Sequence, residues 1–323
     1  MQHTHGRDAR SSLIACLIGS TVEGMTDLHS LPAATANQVA GSWRLATAAF
    51  TRDGVTTEPY GPDPDGLLVL TATGHFAVYV GRPDLPAFAS GDRMAGTADE
   101  HRAVVEGALA LYGTYRVDAD GRFLDQHVLG STFPNWADLR RGREALTLDV
   151  DGDVLTERLR VDAATEATLA WHRAPRVGSV AGDANQVAGV WRMVSQEARL
   201  GDDVLRPFGD APAGCLVFTD DGSFIDVLHR SDLPAFASGD RHDASDAERA
   251  AVAEGSFAVF GIYGVDDAGA FLDETLLHGT FPNWDGLSRD RSEITVDVDG
   301  DRLVERLDAG GGLHITMVME RVG

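Results

Sequence analysis

The residues best suited to acid–base chemistry fall in three short apolar runs. Asp226 sits inside Phe224-Ile225-Asp226-Val227-Leu228. A carboxyl group in such a run is either paired or loses water, and lost hydration raises its pKa toward neutral pH, where it can donate or accept a proton. In the run Phe271–Thr280, alternation with period two puts Leu272, Glu274, Leu276 and His278 on one face. Glu274 and His278 then read as a carboxylate and an imidazole in reach of one another. In Phe123–Thr132, Asp125 and His127 share a face with Phe123 and Leu129. If such a face lines an apolar cup, these residues can move a proton on a bound molecule. The competing reading is an exposed strand face with ordinary polar residues. Alternation alone leaves open which face points inward.

Further residues could hold a substrate. Arg93 and Arg241 suit a carboxylate, Trp136 and Trp284 suit pocket walls, and Tyr79, Tyr115 and Tyr263 bring a hydroxyl on an apolar ring. Tyr115 and Tyr263, like Arg143 and Arg291, occur at matching places, and they either line a pocket or fix the wall around it. The chain has no nucleophile elbow, Walker A motif, dinucleotide fingerprint or metal-ligand spacing, so neither a cofactor nor a metal is expected.

These residues belong to a duplicated frame. The decapeptide Asp-Leu-Pro-Ala-Phe-Ala-Ser-Gly-Asp-Arg occurs at Asp84–Arg93 and again at Asp232–Arg241. Asn37-Gln38-Val39-Ala40-Gly41 returns as Asn185-Gln186-Val187-Ala188-Gly189, 148 positions later, and that offset holds to the end of each copy. Thr132-Phe133-Pro134-Asn135-Trp136 meets Thr280-Phe281-Pro282-Asn283-Trp284. The period is too long for a solenoid and marks two domains. The expected organisation is a leader at 1–36, a first domain at 37–173, a linker at 174–184 and a second domain at 185–323. After a duplication one binding site is free to drift, while folding constrains both copies. Identity in the decapeptide therefore favours scaffold, a self-packed loop, over ligand contact. Differences between copies carry more functional information, and Val78→Asp226 is the sharpest.

Each copy reads as mostly β. Gly66–Leu70 and Phe76–Val80 flank a Thr-Gly turn, and their counterparts flank Asp221-Gly222. Strands are also expected at Leu146–Val150, Val154–Leu159 and Thr168–Arg173, with their copies. One helix interrupts each copy behind a capping box, Thr97…Glu100 and Ser245…Glu248. Its apolar stripe is expected to run through Val105, Leu109 and Tyr112, and through Ala253, Phe257 and Phe260.

Composition narrows the partners. The chain has 323 residues with a net charge of −23, and its 27 basic residues are all Arg. Such a surface repels phosphate backbones and anionic membranes, so neither nucleic acid nor a membrane is an expected partner. No apolar run reaches the length of a membrane span. Cys16 and Cys215 occupy non-equivalent positions and define no disulfide framework. Leu13-Ile14-Ala15-Cys16 imitates a lipoprotein cleavage box, but polar residues precede it where an apolar segment is required. A disordered leader, Met25 as a second candidate start and a cytoplasmic location are the expectations.

Gly41-Ser42-Trp43-Arg44, Pro59-Tyr60-Gly61, Pro64-Asp65-Gly66, the Arg82…Arg93 loop, Gly113-Thr114-Tyr115, Phe133-Pro134-Asn135-Trp136 and Trp171-His172-Arg173 together resemble the lipocalin-like domain family. Copy two matches as well, except that Met319-Glu320-Arg321 lacks the terminal Trp. The resemblance implies an all-β fold: two tandem antiparallel up-and-down barrels of about eight strands, each with one helix and a cup-shaped cavity. It also implies that Arg173 stacks on Trp43 and Arg321 on Trp191, as structural pairs. The implied ligand is a small apolar molecule. The leading expectation is a cofactor-independent cyclase, isomerase or hydro-lyase of specialised metabolism, acting by orientation and proton transfer. The alternatives are a non-catalytic carrier, and a duplication in which one barrel only partners the other. Contact between the barrels within the chain is expected, and self-association is left open.

Overall fold

The computed structural model describes residues 37–177 and 185–322. The expected leader, with Cys16 and Met25, and most of the expected linker lie outside the described residues.

Two antiparallel sheets of ten strands each curl into nearly closed barrels. In the first, the spatial order is Arg140–Gly142, Phe123–Ser131, Ala108–Val117, His75–Gly81, Asp65–Leu70, Gly41–Arg52, Thr165–Arg173, Val154–Arg160 and Leu146–Asp151. The second repeats this order from Ser288–Asp290 to Ile294–Asp299. Two strands of each sheet are three-residue ribbons, Val55–Thr57 and Arg140–Gly142 and their copies, which leaves the eight longer strands that form the wall. The edge strands of each sheet follow one another in sequence, so the seam closes on itself.

Each barrel is held at its floor by the pair that the Gly-x-Trp motif implies. The Arg173 guanidinium lies 4.1 Å from the centre of the Trp43 ring and Arg321 lies 4.0 Å from Trp191. The indole nitrogens donate to Val39 O and Val187 O. Gly41 has a φ of +139°, and a Cβ there would meet Arg173 Nη1 at 2.6 Å. The glycine is thus required twice, by its backbone and by the cation over it.

Helices α1 (Ala98–Gly107) and α2 (Asp246–Gly255) carry the capping boxes, with Thr97 and Ser245 accepting from Glu100 N and Glu248 N. Both end earlier than the apolar stripe implies. Leu109, Tyr112, Phe257 and Phe260 stand on the strands Ala108–Val117 and Ser256–Val265 that follow without a loop. A Cβ at Gly107 would meet Leu85 Cδ2 at 2.5 Å, so the close approach of the preceding loop to the end of α1 requires glycine there. No helix among the described residues is long and apolar enough to cross a membrane.

The barrels pack wall to wall. Leu67, Val69, Ala77, Tyr79, Ala110 and Tyr112 of the first form one buried cluster with Val190, Val217, Ile225, Val227, Ala258 and Phe260 of the second. Strands such as Ser223–Arg230 are therefore buried on both faces, one toward the lumen and one toward the other barrel. Gly130 admits the ring of His229 from the opposite barrel, and Tyr112 Oη lies 3.3 Å from His229 Nε2.

The decapeptide loops dock across this interface, not onto themselves. The Asn283 side chain takes both polar groups of Phe88, accepting from its N–H at 2.8 Å and donating to its carbonyl at 3.0 Å. Asn135 does the same for Phe236, at 2.9 and 3.0 Å. Phe88 stacks on Phe281 and Phe236 on Phe133. Arg93 donates to the carbonyls of Ala253, Glu254 and Ser256 at the C-terminal end of α2, whose last turn has no basic residue of its own. Arg241 donates to Val105 O and Ala108 O at the end of α1 and to Tyr60 Oη. The contact is self-complementary, like that of a two-fold dimer, and this is why both motifs are identical in both copies.

Candidate functional site

The two lumens differ. The first barrel is nearly filled by its own side chains, with a residual cavity of about 60 Å³ among residues such as Phe50, Tyr60, Trp136 and Trp171. The second encloses about 500 Å³, walled by Phe218, Phe224, Phe257, Leu276, Met317 and other apolar residues. Ala198 stands where copy one has Phe50, and Met319 stands where copy one has Trp171. These exchanges remove aromatic rings from the lumen, and the backbone around them is unchanged in topology.

Four polar side chains reach the second cavity deep in the barrel wall. Asp226, Glu274, Glu305 and Arg289 are 5%, 6%, 9% and 6% exposed. Strand alternation places each one: Asp226 between Phe224 and Leu228, Glu274 beside Leu276, Glu305 between Leu303 and Leu307. Arg289 comes from the short ribbon Ser288–Asp290, bonds Glu274 Oε1 at 3.1 Å and lies 4.3 Å from the centre of the Trp284 ring. That leaves three carboxyl groups for one guanidinium. Gln196, 4% exposed, joins them from the strand Gly189–Leu200 in place of Ala48. Asp226 Oδ1 and Gln196 Oε1 are buried without a hydrogen-bond partner among the described residues.

Their electrostatics follow from burial. Loss of water, and then the charge of Glu274, push the Asp226 carboxyl up to about 8. Burial also raises Glu274, against the opposing pull of Arg289. Glu305 goes well above the usual carboxylate range through burial and the charges of Glu274 and Asp226. Near pH 7 Asp226 therefore holds a proton. Copy one has Val78, Gln126 and Glu157 at these positions, with Arg141 for Arg289. Glu157 accepts from Trp171 Nε1 at 3.1 Å, and Met319 offers Glu305 no such donor. Among the described residues, no group of His, Cys, Asp and Glu is placed to hold a metal ion.

Loop Gly91–Met94 of copy one reaches across and lines the mouth of this cavity. Arg93 lies 4.9 Å from the centre of the Phe208 ring there. The second lumen is thus completed by the first domain.

The residues singled out in the sequence separate accordingly. Asp226, Glu274, Trp284 and Arg93 meet at the second cavity. His278 does not. The strand Phe271–Gly279 has a bulge at Leu277, since Phe260 pairs with His278 while Gly261 pairs with Leu276. The extra residue turns His278 out of the lumen, where its nitrogens lie 3.0 Å from Asp65 of the first barrel and 3.0 Å from Asp285. Asp125 pairs with Arg116 outside barrel one, and His127 Nε2 lies 2.5 Å from Asp138 Oδ1 on the same outer side. Tyr79 is buried between the barrels, 5.2 Å from Phe260. Tyr115 and Tyr263 hold the wall, donating to Thr71 O and Thr219 O and accepting from Asn37 and Asn185. Arg143 and Arg291 likewise bond Phe123 O and Phe271 O. Trp136 borders the small first cavity, and Arg241 covers Tyr60. Sequence reasoning missed Gln196, Arg289 and Glu305. Gln196 differs from Ala48 and was open to comparison of the copies. Arg289 and Glu305 match Arg141 and Glu157, so that comparison passes over them, although Leu303-x-Glu305-x-Leu307 carries a signal of its own.

The sequence model described as a lipocalin-like domain matches residues 40–174 and again 188–314. The chain belongs to the lipocalin-like domain family. A fold of this family is compatible with binding a small hydrophobic ligand. No curated protein matches this lipocalin-like chain. Among solved structures, a lipoprotein of Bacteroides thetaiotaomicron is 12% identical with a TM-score of 0.30, covering 64% of this chain and 92% of its own. A Nostoc punctiforme protein of unknown function is 10% identical with a TM-score of 0.22, covering 88% and 97%. A designed fluorescence-activating β-barrel is 12% identical with a TM-score of 0.24, covering 44% and 100%.

Proposed function

We propose that the second barrel binds a small, largely apolar molecule and moves a proton on it, as a cofactor-independent cyclase, isomerase or hydro-lyase of specialised metabolism. The observation that carries this is the buried carboxyl of Asp226, with Oδ1 unpartnered, on the wall of an apolar cavity. A carboxyl group whose pKa lies near the working pH is suited to both halves of an acid–base cycle. The apolar wall can hold a flexible substrate in one reactive conformer. The first barrel, filled by its own side chains, serves as partner and supplies the mouth loop. A carrier of an uncharged apolar molecule needs an apolar cup with polar groups at the rim, and gains nothing from desolvated acids on its wall, each of which weakens the fold.

The test is to extract small molecules from protein purified from its own host, identify them by native mass spectrometry, and incubate them with wild type and Asp226→Asn. Turnover lower by about 100-fold or more in the variant is expected for loss of a general acid–base group. Equal turnover would remove Asp226 from the chemistry, and an unchanged ligand with wild type would favour the carrier.

A further inference from the structure

Copy two differs from copy one both in the wall of the lumen and at its rim. In the wall, Val78, Ala48 and Gln126 give way to Asp226, Gln196 and Glu274. Each exchange adds a hydrogen-bond acceptor or a negative charge, and none adds a cation. At the rim the change runs the other way. Leu200 and Leu205 line the mouth and are 48% and 51% exposed, where copy one has Arg52 and Thr57. Met94, 48% exposed, comes over from the copy-one loop, and its counterpart at the other barrel is His242. The cavity is therefore an apolar cup with a cluster of acids in its depth and apolar residues at its rim, the reverse of a cup with a polar rim.

The acidic groups facing the lumen outnumber the basic ones. Deep in the wall are the carboxyls of Asp226, Glu274 and Glu305 and the guanidinium of Arg289, which Glu274 already engages. At the mouth Asp92 and Arg93 offset one another, and Arg93 is tied to three carbonyls of the α2 terminus. Acid groups outnumber the one guanidinium, and Asp226 Oδ1, on a residue 5% exposed, has no donor to bond, so an ammonium seated there displaces the carboxyl proton to solvent and takes its place. A buried acceptor of this kind is matched by a ligand that brings the missing N–H, and a charged donor is worth more to it than a neutral one.

We infer that the cavity takes an amphipathic amine, an apolar body carrying one protonated nitrogen, inserted nitrogen first so that it bonds Asp226 while the apolar end lies among Leu200, Leu205 and Met94. The inference rests on the reading of the second barrel as a ligand-binding site. It adds the charge and the orientation of the ligand. Aromatic walls such as Phe218, Phe224 and Phe257 suit both the apolar body and the cation.

Three probes of one shape decide it: 4-phenylbutylamine, 4-phenylbutanol and 4-phenylbutanoate, titrated into the full chain at pH 7 by calorimetry. The amine is expected to bind roughly tenfold tighter than the alcohol, with the carboxylate weakest. Asp226→Asn keeps the size of the side chain and should bring the amine to within about threefold of the alcohol while leaving the alcohol's affinity in place. Glu305→Gln provides a second variant should the first fail to fold, and a smaller loss is expected from it. The ranking of the probes on wild type needs no variant. An alcohol that equals the amine, or a carboxylate that exceeds it, overturns the inference and leaves the ligand-binding reading standing. Failure of all three to bind overturns both.

Discussion

Asp226 is a single exchange with two consequences. It gives the lumen a proton that can be moved, and it makes the fold depend on pH. Burial raises its pKa to about 8 in the folded chain, above the value of an exposed carboxyl. The folded state therefore holds a proton that the unfolded chain releases above pH 4 or so. Stability from this group is complete at acid pH and declines as pH rises from about 4 to about 8. Asp226→Asn should flatten that part of the profile and raise the melting temperature at pH 8 more than at pH 5, as thermal unfolding across pH would record. An equal change at both pH values would mean that Asp226 is not titrating in the fold. The same residue was legible in the sequence, because one carboxylate among Phe224, Ile225, Val227 and Leu228 breaks a run that is otherwise apolar. Its companions Glu305 and Arg289 were not, since they match their copy-one counterparts and only the emptied lumen gives them a new setting.

At the scale of elements, two loops and two turns hold the molecule together. The capping boxes and hairpin turns are local, and the sequence marks them because their hydrogen bonds lie within a few residues. The destination of the decapeptide is not local. Asn283 reaches Phe88 across 195 residues of chain, and Asn135 reaches Phe236 across 101. Replacing either Asn by Ala leaves the Phe88 or Phe236 N–H without its partner, at a cost of about 1–3 kcal/mol, while the carbonyl keeps its bond from Gly91 or Gly239. The two variants should nonetheless differ in function. Asn283→Ala frees the loop that covers the second cavity, so the Phe88 amide should exchange faster with solvent and bound ligand should leave sooner. Asn135→Ala should speed exchange at Phe236 and leave ligand release from barrel two as in wild type. Hydrogen exchange with and without ligand separates these outcomes, and equal release rates would disconnect the loop from the mouth. The bulge at Leu277 belongs to this scale too. One extra residue moved His278 from the lumen to the interface, and no alternation rule reports a bulge whose cause is the partner strand.

For the whole molecule, the interface is as much a core as either lumen. A piece spanning 185–323 would expose Val190, Val217, Ile225, Val227 and Phe260, all 4% exposed or less in the full chain. Alone it should self-associate, and addition of a piece spanning 37–177 should give a one-to-one complex by light scattering. A well-behaved monomer of the second piece would show that its outer wall needs no cover. The interface also carries an ionic cluster. His278 lies between Asp65 and Asp285, and Asp65 bonds Arg44, whose guanidinium sits 4.7 Å from the centre of the Phe260 ring. Hydrogen bonds to Asp285 and Asp65 raise His278 to about 9. Its contribution is therefore complete below pH 6.5 or so and is lost as pH rises through about 9. His278→Gln should lower the melting temperature at pH 6 and have little further effect at pH 10. Equal losses at both would assign His278 a packing role.

The sequence by itself determined the duplication, the strands, the helix caps and the carboxylate at 226, each written in short-range periodicity, in turn chemistry or in the repetition of one copy by the other. The barrel and its Trp–Arg floor came from the chain's resemblance to the lipocalin-like family. Tertiary structure alone decided that the second lumen is hollow and the first is filled. It also decided that three acids share one guanidinium, and that each repeated loop belongs to the opposite barrel. Those outcomes depend on volumes and charges summed over strands far apart in the chain. A residue's type fixes what it can bond, and only the folded chain fixes what is left for it to bond.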